Sequence, residues 1–168
     1  MTVLLVPTDF SSCARKAMRM AAQIAPSLHA ELLLLHVTQI PPGLVEGSEI
    51  RPMPDQDPID VGTFVREASL AELARYAEEL RELDLEVKTR VELGDPVDRI
   101  LEVASEQDAA MIVMGTHGRT GLAHLIIGSV AEKVMRKARK PVLTVPGLFP
   151  EDADQDSGPS EDAEPPRP

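Results

Sequence analysis

The chain is short of aromatic residues, cysteine, long apolar runs and positive charge, and each shortage removes a class of function. Of 168 residues only three are Phe and one is Tyr, with no Trp. Single-stranded nucleic-acid platforms stack successive bases on aromatic rings, and this chain has too few to build one. The lone cysteine cannot form an internal disulfide, and it rules out a cysteine-rich zinc site. No apolar run approaches the roughly 20 residues that span a bilayer, so no membrane partner is expected. Val3-Leu4-Leu5-Val6, with no basic leader before it and Pro7 behind it, does not read as a signal peptide. A soluble, cytoplasmic protein is the expectation. The 17 Lys and Arg against 28 Asp and Glu leave a net charge of −11. Nucleic-acid backbones are bound by Lys and Arg that neutralise them, so no nucleic-acid partner is expected either.

The acid excess is local. From residue 151 onward there are seven acids, one Arg, four prolines and no bulky apolar side chain. Such a segment cannot bury enough surface to offset its ordering entropy, so residues 149–168 are expected to be a disordered acidic tail. Residues 38–62 hold five prolines and five acids against Arg51 alone, and read as a flexible Pro-rich loop. The remainder carries 15 basic and 16 acidic residues. That near balance does not repel a small polyanion.

What is left alternates between strand-like and helix-like pieces. Residues 3–6 and 31–37 (ELLLLHV) are continuous apolar runs suited to buried strands, and so are residues 111–114 and 142–145. Residues 85–93 alternate Leu85, Val87, Thr89, Val91 and Leu93 with charged neighbours, the pattern of a half-exposed strand. Helical spacing follows Asp9-Phe10-Ser11-Ser12 up to Pro26, which is expected to end that helix. Further helices are predicted over residues 64–83, after Gly94-Asp95-Pro96, and over residues 129–138. Strands alternating with helices imply one doubly wound α/β domain over residues 1–148, with a five-stranded parallel sheet and helices on both faces. Ligands bind such sheets beyond the carboxyl ends of the strands, so the loops after Val6, Val37 and Met114 matter most.

The segment with most chemistry is Met114-Gly115-Thr116-His117-Gly118-Arg119-Thr120-Gly121, followed by Gly128-Ser129. Glycines after a buried strand allow a sharp turn and a close approach of ligand to backbone. Gly128-Ser129 opens a helix, whose free N–H groups and positive dipole end make an anion site. No Gly-Lys-Ser/Thr occurs and no GxGxxG follows a strand, so neither standard phosphate loop is present. The plainer alternative is that the glycines serve turns and Ser129 is an ordinary cap.

The spacing Gly115-x2-Gly118-x9-Gly128-Ser129 resembles the nucleotide-binding signature of the universal stress protein family. The resemblance continues through Val3-Leu4-Leu5-Val6-Pro7-Thr8-Asp9-Phe10-Ser11, Leu35-His36-Val37, Gly94-Asp95-Pro96 and Pro141-Val142-Leu143-Thr144-Val145, and so covers residues 1–146. It implies an adenine nucleotide alpha-hydrolase-like domain, a homodimer paired through the strand at residues 142–145, and, with the glycine signature intact, ATP binding with Mg2+ or Mn2+ on the phosphates. It places Asp9 and the Val37 backbone at the base and ribose, and Gly115 and Gly118 at the ribose and first phosphates. Gly128, Ser129 and Val130 would hold the later phosphates, with Ser129 also within reach of the metal. Pro7, Thr8 and Met114 would form the wall, and His117 and Arg119 would lie in the glycine loop.

Other readings carry less. Asp9 at a strand end also fits a receiver-domain phosphoacceptor. That reading wants an acidic pair near the first strand and a Lys after the last, where this chain has Pro7-Thr8 and Pro146-Gly147. A slow ATPase or a self-phosphorylating protein acting through Ser129 or Thr120 is a second alternative. Fast hydrolysis would need a positioned cation, a metal-holding carboxylate and an oriented water, and only Asp9 and Arg119 are candidates. A dimeric interaction protein with a vestigial site is the third. Cys13 near a helix start is read as buried filler ahead of a reactive thiol, and His36 as packing at the end of its strand.

Overall fold

The computed structural model describes residues 2–53, 57–116 and 127–146. Five parallel strands form the sheet: β1 (Thr2–Thr8), β2 (Ala30–Thr38), β5 (Val87–Leu93), β6 (Met111–Gly115) and β7 (Val142–Val145), in the order β5-β2-β1-β6-β7. Among the described residues four helices cover it: α1 (Ser12–Leu28), α2 (Val61–Arg81), α3 (Pro96–Glu106) and α4 (Ser129–Lys137). The α/β expectation holds, and the reason lies in strand alternation. Leu4, Val6, Leu32 and Leu34 face α1 and α2, while Val3, Leu5, Leu33 and Leu35 face α3 and α4. With both faces covered, the central positions of β1 and β2 want apolar side chains on either side, which is why these strands read as unbroken runs.

From β1 the chain passes to β2 on one side, and β6 joins on the other. This reversal opens a crevice at the carboxyl ends of β1 and β6. Two devices fix the chain there. Ser11 caps α1 by accepting from the Ala14 N–H, and Asp95 caps α3 by accepting from Val97 and Asp98. Gly94 before it has φ +135°, a conformation that favours glycine.

Two expectations need correction. Pro26 does not end α1, which runs on to Leu28 and closes at His29 in the left-handed region. A proline near the end of a helix sacrifices one N–H without breaking the turns before it, and His29 N–H reaches the Pro26 carbonyl. Residues 38–62 are also not loop throughout. β3 (Glu49–Ile50) and β4 (Ile59–Asp60) pair antiparallel, and α2 starts at Val61 ahead of residue 64. The nucleus is Asp60, whose carboxylate accepts from Thr63 N–H at 2.9 Å and from Gly47 N–H at 3.0 Å. One side chain thereby caps a helix and ties down the segment before it.

These donors, chiefly the Thr63 amide, hold the Asp60 carboxyl below its ordinary value of 3.8. A lowered folded value stabilises the fold above 3.8, and that contribution fades as pH falls through the lower folded value. Asp60→Asn is expected to speed hydrogen exchange at Gly47 and Thr63 near neutral pH, with the difference from wild type closing in strong acid. Equal protection of both amides at neutral pH would contradict this role.

Candidate functional site

At the carboxyl ends of the strands lies a cavity of about 240 Å³. Pro7, Thr8 and Asp9 bound it from β1 and its following turn, Leu35 and Val37 from β2, and Met114, Gly115 and Thr116 from β6. Pro96 and Ile100 of α3 close one side, and Gly128 through Ala131 close another. Of the twelve expected site residues, nine are brought together here: Pro7, Thr8, Asp9, Val37, Met114, Gly115, Gly128, Ser129 and Val130. His117, Gly118 and Arg119 lie outside the described residues. Ala14, Leu35, Pro96, Ile100, Thr116 and Ala131 were not anticipated. Leu35 and Thr116 adjoin named residues, and Ile100 was read only as a core position of its helix. Nothing local in the sequence says that Pro96 and Ile100 line the same cavity as the end of β1.

The cavity has two chemical ends. Leu35, Val37, Pro96, Ile100 and Met114 make one end apolar. At the other, α4 begins with Gly128 as cap, a residue with no side chain to hydrogen-bond the first turn. The Gly128 N–H is already used, donating to the Thr116 carbonyl at 2.7 Å. That bond ties the start of α4 to the end of β6, and Ser129, Val130 and Ala131 of the first turn line the cavity beside Gly128. Three backbone N–H groups with the positive end of a helix behind them form a cradle for an anion.

Asp9 is the one charged side chain lining the cavity among the described residues. Its Oδ1 accepts from Ser11 N–H at 3.1 Å, which sets the carboxylate's orientation. Gly115 has a steric task of its own. A Cβ there would stand 2.7 Å from Cys13 Sγ, 3.0 Å from the Cys13 carbonyl carbon and 3.1 Å from its oxygen. Cys13 is buried, with its thiol donating to the Val145 carbonyl at 3.4 Å, as the filler reading expected. His36 is also buried, at the end of β2. Among the described residues no group of three or more His, Cys, Asp or Glu could hold a metal ion. No helix among them is long and apolar enough to cross a membrane.

The family model of the universal stress proteins matches residues 1–146, the span that builds this crevice. The chain belongs to the universal stress protein family. Among its relatives, the universal stress protein MJ0531 of Methanocaldococcus jannaschii is 33% identical over 146 residues, covering 84% of this chain and 80% of the relative. YxiE of Bacillus subtilis is 30% identical over 145 residues, covering 84% of this chain and 97% of the relative. The solved structure of M. jannaschii MJ0577 superposes with a TM-score of 0.64 at 30% identity, covering 86% of this chain and 95% of that one. A universal stress protein solved in complex with cAMP superposes with a TM-score of 0.61 at 25% identity, covering 88% of this chain and 98% of that one. In this universal stress protein, apolar side chains and the glycine-capped start of α4 line one crevice.

Proposed function

We propose that this universal stress protein is an ATP-binding regulatory module. The observation that carries the reading is the start of α4, capped by a glycine, whose first-turn residues Ser129, Val130 and Ala131 line the same cavity as the apolar recess. The recess suits the faces of a purine, and Asp9 offers an acceptor to a ribose hydroxyl or a base amine. The α4 cradle suits phosphate, with the Ser129 hydroxyl as an added donor. The relative in complex with cAMP supports an adenine nucleotide. Mg2+ or Mn2+ would travel with the phosphates, with Ser129 as the one side chain of this cradle able to reach it. Asp9 alone supplies charge among the described lining residues, which favours binding over fast hydrolysis.

The dimer reading rests on the sheet edges. β5 and β7 are both edge strands. β5 carries Lys88, Arg90 and Glu92, and charged side chains on an edge discourage pairing with another chain. β7 is Val142-Leu143-Thr144-Val145 with no charge, an edge open to a second copy. One experiment tests the whole reading. Protein purified without added nucleotide is denatured and its small molecules are identified, and the native protein is sedimented at micromolar concentration. Retained ATP that stays intact for hours, on a dimer, is the expected result. Rapid conversion to ADP would favour the enzyme. Failure to bind ATP with Mg2+ in calorimetry would remove the nucleotide reading, and an 18.2 kDa species alone would remove the dimer.

A further inference from the structure

Asp9 occupies its place in the crevice because the turn around it is held from behind. Phe10, the next residue, has φ +66°, a left-handed conformation that a bulky L-residue adopts only when its surroundings impose it. The Phe10 N–H donates to Thr8 Oγ1 at 3.0 Å. Its ring stacks on His36 with centroids 4.3 Å apart, and on Tyr76 of α2 at 5.8 Å. His36 in turn places Nδ1 2.7 Å from the Thr8 carbonyl oxygen. A carbonyl only accepts, so the proton of this bond resides on Nδ1. The residues on either side of Asp9 are therefore both gripped by one buried imidazole, Thr8 by its hydrogen bond and Phe10 by its face.

We propose that His36 is a positioning residue of the nucleotide site, whose Nδ1–H holds the Thr8 carbonyl and thereby sets where Asp9 is presented to the ligand. The imidazole lies on the α1–α2 face of the sheet, while the cavity opens on the α3–α4 face, so His36 acts through the strand end and not by touching the ligand. This inference rests on the nucleotide reading for its ligand, and its own content is the mechanical link between His36 and Asp9.

Two substitutions separate the link from general packing. His36→Phe keeps a ring for Phe10 to stack on and removes the donor to Thr8. His36→Asn loses the ring and keeps an amide N–H on the same carbon that bears Nδ1. The expected result is that His36→Phe weakens MgATP binding by about tenfold, the scale of a buried carbonyl deprived of its donor. His36→Asn is expected to bind within about threefold of wild type while melting at a lower temperature. Affinity following the bond and stability following the ring is the signature of positioning. Affinity that tracks melting temperature in both variants, or wild-type affinity in His36→Phe, would overturn it.

If the wild-type protein binds no ATP, the nucleotide reading fails, and the link is judged on ligand-free protein by amide exchange. The Phe10 and Ser11 amides, bonded to Thr8 Oγ1 and Asp9 Oδ1, should then exchange faster in His36→Phe than in His36→Asn. Equal or reversed rates would reject the link.

Discussion

Gly115→Ala is expected to lower the melting temperature by roughly 5–10 °C, and to weaken nucleotide binding severely. The reason is geometric. One added methyl group would stand 2.7 Å from Cys13 Sγ, and also 3.0 and 3.1 Å from the carbonyl carbon and oxygen of Cys13. A side chain can rotate away, but the Cys13 backbone belongs to the first turn of α1 and cannot. Relief therefore requires α1 and β6 to part. Forcing an extra carbon into a packed site costs about 1–3 kcal/mol, and the upper part of that range corresponds to the stated shift for a domain of this size. The same displacement moves Thr116, whose N–H donates to the Val145 carbonyl at 3.0 Å, and Thr116 lines the cavity.

Scanning calorimetry with and without Cys13→Ala tests this account. Removing the thiol relieves the shortest contact and leaves the two backbone contacts in place. The double variant should recover part of the lost stability, not all of it. If Gly115→Ala melts like wild type, the close approach of α1 to β6 does not constrain the site.

Ser129→Glu is expected to cost at least tenfold in ATP affinity, which is about 1.4 kcal/mol, while leaving the melting temperature unchanged or slightly raised. The carboxylate would enter the first turn of α4, where the cap residue Gly128 has no side chain of its own to offer. Negative charge near a helix start is favourable by about 0.3–1 kcal/mol, so the fold does not suffer. The same charge competes with a phosphate for the amides of Ser129, Val130 and Ala131. Opposite signs for stability and binding are the diagnostic outcome, because a merely disruptive substitution lowers both. Isothermal titration with MgATP beside a melting curve reads the two together. Unchanged affinity would move the phosphates away from α4.

Much of the fold was legible in local pattern, and the reasons are visible in particular elements. β1 and β2 read as strands because helices cover both faces, so both sides of their central residues, Val3–Val6 and Leu32–Leu35, are apolar. Asp95-Pro96 read as a helix start because the cap and the fixed proline φ act within a few residues. β5 read as half exposed because it is an edge strand, with Arg90 paired to Glu92 at 2.6 Å and to Glu106 at 2.9 Å. The errors came where a nearby cue was outweighed. Pro26 disrupts nothing because the turns before it stay bonded. Residues 38–62 hold a short strand pair because Asp60 reaches back thirteen residues to Gly47, a bond that no composition count reveals.

The motifs along residues 1–146 carried the resemblance to the family, and through it nine residues that line the crevice. They could not assign what each of those residues does. Gly115 marked a turn in the chain, but only packing shows that Cys13 occupies the space its side chain would need. Gly128 read as the opening of a helix, but only the folded chain shows its N–H donating to the Thr116 carbonyl and so tying α4 to the end of β6. His36 looked like filler at a strand end, but pairing of β1 with β2 sets it against Thr8, and the turn lays Phe10 over it. Sequence alone determined the five strands of the main sheet and the four helices in their order along the chain, because caps, prolines and apolar periodicity act over a few residues. Tertiary structure alone decided which hydrogen-bond donors remain for a ligand, because each depends on a partner brought from a distant strand or helix.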